Sequence, residues 1–440
     1  MKLRHVASYG LVFAVLALVG CDQGRQTPAK VTVRVANVAP GFAELQFRRE
    51  RTTEATLGFK GSDELSWDAD TYDLYVDERS LTGAATRTWT VAPQLQADRS
   101  YIIVLTEVGG EVIPVVLEHA AAGAADAQII ALHAGPNLPA MDLYLERPGV
   151  GIAGATPRGS LAVQGQLAPR NVPSGDYELW LTAAGNPANV LLASTTITLA
   201  AAATATFIVT PEGGEGTATL SVLLLQAGPT VLYDRNTTAE LRVINGATDT
   251  AARDFAINRQ FSPPLFSAIP FATPTPFATI PVAASQPINV TPVGNPGVLE
   301  LDQLFTISAS QRATLLFTGA TGTLLHVVVG EDGRRIHNEA KLQFFNAASQ
   351  FSGALEFVLV LPGFDPATVA AFATLFTPGV SGLSPIPPRD YELYVRLTAT
   401  ATNVAGPIPI SVAAEGIYGA MAVNGADTAT ANIVLFDDFP

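Results

Sequence analysis

The chain is short of cysteine, of charge and of basic residues, and each shortage closes a class of function. Cys21 is the only cysteine among 440 residues, so no disulfide forms within the chain and no thiolate zinc site can be built. Charged residues make up only 15% of the sequence, with a formal net charge of -14. Loss of the first twenty residues, which carry Lys2 and Arg4 and no acid, takes that charge to -16. No basic stripe is present to neutralise phosphates, which argues against a nucleic-acid partner and against attraction to anionic lipid headgroups. The metalloprotease, nucleophile-elbow, P-loop and dinucleotide fingerprints are all missing. Beyond His5, the histidines His119, His133, His326 and His337 are scattered, with no pair at metal-ligand spacing. Asp332-Gly333 and Asp437-Asp438 follow no calcium-loop pattern and read as turns. The expectation is a protein with no cofactor, no metal and no catalytic constellation.

What is present begins at the N-terminus. Lys2 and Arg4 precede the unbroken apolar run Leu11 to Val19, which is too short for a stable bilayer span and fits the core of a signal peptide. Leu18-Val19-Gly20-Cys21 resembles the bacterial lipobox, in which the cysteine thiol receives diacylglycerol and the chain is cut before it. The resemblance implies lipid attachment at Cys21, with residues 1–20 removed and 21–30 left as a polar tether. Two or more acyl chains anchor a protein stably, where one does so only marginally. A second uncharged stretch, Ala184 to Pro211, is rich in threonine and reads as two strands rather than a span.

The remainder repeats itself. Val33 to Pro40, Ile129 to Pro136, Leu241 to Thr248 and Leu342 to Ser349 each run from a short apolar strand through Asn37, His133, Asn245 or Asn346 into small residues. The interval is about one hundred residues, the size of a domain rather than of a solenoid repeat. An acidic residue ahead of an apolar alternation follows each opening, at Glu44, Asp142, Asp254 and Glu356. Later come the alternating strands Tyr72 to Val76, Tyr177 to Leu181 and Tyr391 to Val395, with a weaker third counterpart at Pro287 to Val290. Hairpins around glycine turns close the copies. Short alternating strands between glycine and proline turns predict an all-β chain of tandem antiparallel β-sandwich, immunoglobulin-like domains. The expected units are residues 31–122, 123–230, 231–338 and 339–440. The third carries a Pro/Phe-rich insertion at 262–297; Phe261 just before it and Phe266, Phe271 and Phe277 within it are expected to cover that unit's own core. Helical signal is confined to Asp365 to Phe376, with Asp365 as N-cap and Pro366 at N1; register with Leu57 and Phe59 favours strand at Leu375-Phe376.

These motifs resemble the domain of unknown function 4397 family. The second copy matches best, through Leu132-His133-Ala134-Gly135-Pro136, Met141-Asp142-Leu143-Tyr144-Leu145 and Pro173-Ser174-Gly175-Asp176-Tyr177-Glu178-Leu179. The third departs furthest. The resemblance implies β-sandwich domains in secreted or anchored bacterial proteins, and no reaction.

Two sets of polar residues invite a functional reading. The recurrent Asn/His and Asp/Glu positions are read as turn locks, bonded to nearby backbone. The alternating strands set Trp180, Tyr75 and Tyr394 beside Glu178, Asp73 and Glu392, a pattern of aromatic faces next to carboxylates that would suit a sugar. Cross-strand packing is the plainer reading. The function expected is a non-enzymatic, lipid-anchored envelope protein, at the periplasmic face or cell surface. It would reach outward as a rod with the fourth domain farthest out, and would bind or space envelope proteins or polysaccharide. The alternative is a carbohydrate-binding accessory or adhesive surface lipoprotein.

Overall fold

The computed structural model describes residues 29–79, 84–120, 122–214 and 216–439. Cys21, the signal segment and most of the tether lie outside the described residues. The first unit shows the plan. Its strands are β1 (Lys30–Asn37), β2 (Glu44–Arg49), β3 (Thr52–Gly58), β4 (Ser62–Asp68), β5 (Leu74–Arg79), β6 (Ala85–Val91), β7 (Ser100–Val108) and β8 (Glu111–His119). They form two facing sheets, ordered β4-β1-β7-β8 and β3-β2-β5-β6. Three further sheet pairs repeat the arrangement along the chain, so the tandem β-sandwich expectation holds.

One pairing departs from a purely antiparallel sandwich. β1 runs parallel to β7, from Thr32↔Ser100 to Asn37↔Leu105. The opening strands Asp126–His133, Ala239–Ala247 and Ala340–Asn346 pair in parallel with Thr204–Pro211, Arg312–Gly319 and Ile417–Asn424 in the same way. Local hydrophobic alternation does not encode such long-range pairing.

Period two sorts the side chains. Val31, Val33 and Val35 of β1 join Tyr101, Ile103 and Leu105 of β7 in the first unit's core. Ala36 and Val38, with Ile102 and Val104, face the other way. There they meet Ile130, Leu132, Ile208, Leu223 and Leu225 of the second unit. Ile244 and Leu316 of the third unit likewise meet Phe345, Met421, Val423 and Phe436 of the fourth. The units therefore pack as two back-to-back pairs.

Strand parity explains this. With Thr32↔Ser100 and Ser100↔His119 in register, the first unit's chain leaves beside the point where it entered. A short linker then seats the second unit alongside the first. The second unit gains an extra strand, Pro229–Leu232, whose register through Val222 and Val209 to His133 carries the chain to the opposite end. That strand crosses the expected 230/231 boundary, so the second unit ends after Leu232. The third unit again exits where it entered, through Glu240↔Arg312↔Glu331. The molecule thus has two tiers, units one and two below units three and four, and not the expected rod with the fourth unit alone at its tip.

Local expectations fared well. Ala184 to Pro211 forms two strands, Asn186–Leu199 and Thr204–Pro211. Pro366–Thr368 is a single 3-10 turn capped by Asp365, whose side chain accepts from the Ala367 N–H at 2.9 Å. Ala373–Leu375 is a strand, though Phe376 beyond it is 70% exposed. The third unit's phenylalanines are the exception: of the four expected to cover its own core only Phe266 does so, whereas Phe271 packs on the interface with unit four, Phe277 lies under Arg242 and Arg312, and Phe261 joins no core cluster, because the loop runs out to the neighbouring unit and the junction.

Candidate functional site at the junction of the four units

The repeated polar residues are structural. Asn37, His133, Asn245 and Asn346 are each fully buried. Asn37 Oδ1 accepts from the Ala39 N–H at 2.9 Å while its Nδ2 donates to Leu57 O at 2.9 Å. Asn245 accepts from Ala247 and donates to Ala251 O and Ile269 O. Asn346 accepts from Ala348 and donates to Leu375 O. Each side chain closes its own turn and ties the opening strand across to the facing sheet. His133 reaches Pro139 O with Nε2 at 2.9 Å. Two of the four recurrent acids also hold backbone, while Glu356 pairs with a side chain and Glu44 is exposed. Asp142 holds Ser160 Oγ and the Gly185 N–H, and Asp254 holds the Ala268 and Gly294 N–H groups. Glu356 pairs with Arg396.

The aromatic faces are placed as period two requires, but they are roofed. Tyr177, Leu179 and Leu181 point into the second core, leaving Trp180 half-buried on the outer face beside a buried Glu178. Arg235 covers both: its guanidinium lies 4.8 Å from the Trp180 ring centre and 2.9 Å from Glu178 Oε2. This ion pair holds the Glu178 carboxyl below its ordinary range. Tyr75 sits beneath Arg48 at 4.9 Å. Its acidic neighbour is not the exposed Asp73, which lies off the strand, but the buried Asp77, paired with Arg48. Tyr394 is buried under Val369 and Ala371, its hydroxyl donating to Glu392 at 3.0 Å. The open aromatic–carboxylate platform that these six residues could have made does not form, because neighbouring arginines and the 361–372 loop cover the rings, in line with the plainer packing reading.

The chemistry gathers elsewhere, along the charged run Glu331 to Lys341 that links units three and four. Arg242, only 3% exposed, lies between Glu331 at 2.9 Å and Asp437 at 2.5 Å, and also donates to Thr314. Arg334 donates to Pro40 O and Phe42 O of unit one at 3.1 and 3.2 Å, and its backbone bridges Gly214 of unit two. Arg335 donates to Glu415 O and pairs with Asp438 of unit four. His337 bonds Glu107 of unit one and Glu415 of unit four, and Asn338 donates to Glu78. Nearby, Lys60 joins unit one to unit two through Glu212 at 2.5 Å.

Burial and pairing shift the groups here. Burial works against the Asp332 carboxylate, yet Arg334 and Lys341 hold it down at about 2. Burial lowers Lys341 and Lys60. Burial, and then Glu212, push the Tyr233 hydroxyl up to about 12. Burial, and then Glu78, raise the Glu339 carboxyl. A cleft of about 550 Å³ opens beside the run between units one and four, lined in part by Glu44, Gln46, Arg79, Arg334, Glu339 and Lys341. Its balanced charges favour neither an anion nor a cation. Among the described residues, no group of three or more His, Cys, Asp or Glu side chains could hold a metal ion, and no helix is long and apolar enough to cross a membrane. Asp332 accepts from the Arg334 N–H at 3.2 Å and Asp438 lies in a turn, as expected, and Asp332, Asp437 and Asp438 are also paired with Arg334, Arg242 and Arg335.

No family model and no curated protein matches the chain. Among solved structures it is similar to the Bacillus anthracis TIE protein at 10% identity and a TM-score of 0.17, over 90% of this chain and 68% of that chain. A TM-score so low carries no argument about function.

Proposed function

We propose that this is a non-enzymatic, lipid-anchored cell-envelope protein that uses a clamped body of four β-sandwich units to bind or space envelope components. The observation that carries the reading is the lipobox-like Leu18-Val19-Gly20-Cys21 placed ahead of four such units. It is supported by how the conspicuous polar groups are used: the recurrent Asn and Asp positions bond backbone groups, Glu356 pairs with Arg396, and the charged run joins units. Two-tier clamping suits a spacer, because it fixes one part of the molecule relative to another. Cys21→Ser is expected to abolish incorporation of radiolabelled palmitate and to move the protein to the soluble fraction of lysed cells. Continued labelling would overturn the anchor. Crosslinking in cells, followed by identification of the captured species, tests the binding half: recurrent envelope proteins or glycan support it, and a chain that captures nothing beyond itself does not.

A further inference from the structure

Among the described residues, His337 stands apart from the other histidines. Its Nε2 lies 2.6 Å from Glu107 Oε1, on unit one, and its Nδ1 lies 2.9 Å from Glu415 Oε1, on unit four. The backbone fixes the ring in place, since the His337 N–H donates to Gly41 O at 3.0 Å. The approach is close enough that a Cβ on Gly41 would fall 2.2 Å from Nε2. The ring also stands edge-on to Phe42, with centroids 5.6 Å apart.

A neutral imidazole has a single N–H and can donate to only one carboxylate. Its other nitrogen would then turn a lone pair toward the second carboxylate at hydrogen-bond distance. Only the imidazolium satisfies both partners. We infer that protonated His337 latches unit one to unit four, and that loss of its proton loosens the joint between the two tiers. The inference stands on the junction geometry and is independent of the proposed lipid anchor.

The surrounding charges agree. From unit one, Glu107 also accepts from the Gly41 N–H at 2.7 Å, so its second oxygen is held in place. Arg87 lies across the Phe42 ring but is engaged by Glu78 and Glu111. From unit four, Arg335 donates to the Glu415 backbone and pairs with Asp438, leaving the Glu415 carboxylate to His337. Within the segment, Asn338 donates to Glu78 at 2.9 Å. Burial disfavours the charged ring, but Glu107 and then Glu415 outweigh it and raise His337 above its ordinary value of 6.5. A group raised on closing favours the closed joint fully below that ordinary value, and the contribution disappears as pH rises through the higher, closed-state value.

Two measurements on the mature chain test this. A proton-NMR titration of the histidines, with His337→Gln used for assignment, should show His337 titrating above the ordinary value. Glu107→Gln and Glu415→Gln should each bring it back down. Amide hydrogen exchange of peptides spanning 331–341, normalised to the intrinsic rate at each pH, should show protection falling through the same range. The expected fall is about tenfold for each unit by which closing raises the residue, and His337→Gln should flatten it. The latch is overturned if His337 titrates at or below the ordinary value. It is equally overturned if protection is constant while His337 titrates, or if His337→Gln shows the same fall.

Discussion

Asn37, Asn245 and Asn346 each satisfy a backbone donor and at least one backbone acceptor from zero exposure. Removing such a side chain leaves those backbone groups buried without partners, at about 1–3 kcal/mol for each. Asn245→Ala should therefore lower the calorimetric melting temperature clearly, whereas truncation of the exposed Asp73 should leave it unchanged. At Trp180 the relevant neighbour is Arg235, which a reading of the strand alone could not supply because it lies over fifty residues away in the chain. Arg235→Ala should expose the indole: acrylamide quenching of tryptophan fluorescence should rise and the emission should shift to the red. An unchanged quenching constant would mean that the guanidinium does not shield the ring.

Along the elements, one device recurs where the chain turns from one sheet into the next. The hydroxyls of Tyr72, Tyr177 and Tyr391 donate to the carbonyls of Asp68, Pro173 and Pro387, four residues upstream in each case, at 3.1, 2.6 and 2.9 Å. Tyr177→Phe and Tyr391→Phe should each cost about 1 kcal/mol. Lying in different units, they should add in the double variant, as measured by urea denaturation. Most elements were legible in the sequence, since period-two alternation and glycine turns are local signals: the opening strands, the Tyr strands, the closing hairpins and even the weak Pro287 to Val290 counterpart are strands. The parallel β1–β7 pairing was not legible, because register between strands so far apart leaves no local mark. One clue to the paired units was available. Ile129-Ile130-Ala131-Leu132 and Val222-Leu223-Leu224-Leu225 are apolar at every position, as strands must be when both faces of their sheet are covered. The density of charge from Glu331 to Lys341, in a chain with so few charges, was the corresponding signal for the junction.

For the whole molecule, the two back-to-back interfaces and the junction make four sandwiches behave as one body. Val104→Asp places a charge in the interface between units one and two without touching either inner core, so it should split the calorimetric transition while strand content by circular dichroism is retained. Acid should act through the carboxylates. Asp249, held by Arg253, and Asp332, held against burial by Arg334 and Lys341, both lie at about 2 in the folded chain. Depressed acids stabilise the fold above their unfolded value of 3.8, so melting temperature should hold down to about pH 4 and then drop as pH falls toward 2. The placement of Lys30 has a mechanical meaning. β1 is flanked by β4 on one side and β7 on the other, with its first residue at the end of the lower tier away from the junction. Tension from a lipid at Cys21, resisted by something held at the upper tier, would run along that strand. The ladders on both sides would then be loaded in shear, with all their hydrogen bonds sharing the force. They would not unzip one bond at a time, and the strand nearest the proposed anchor would be the one best placed to bear a pull.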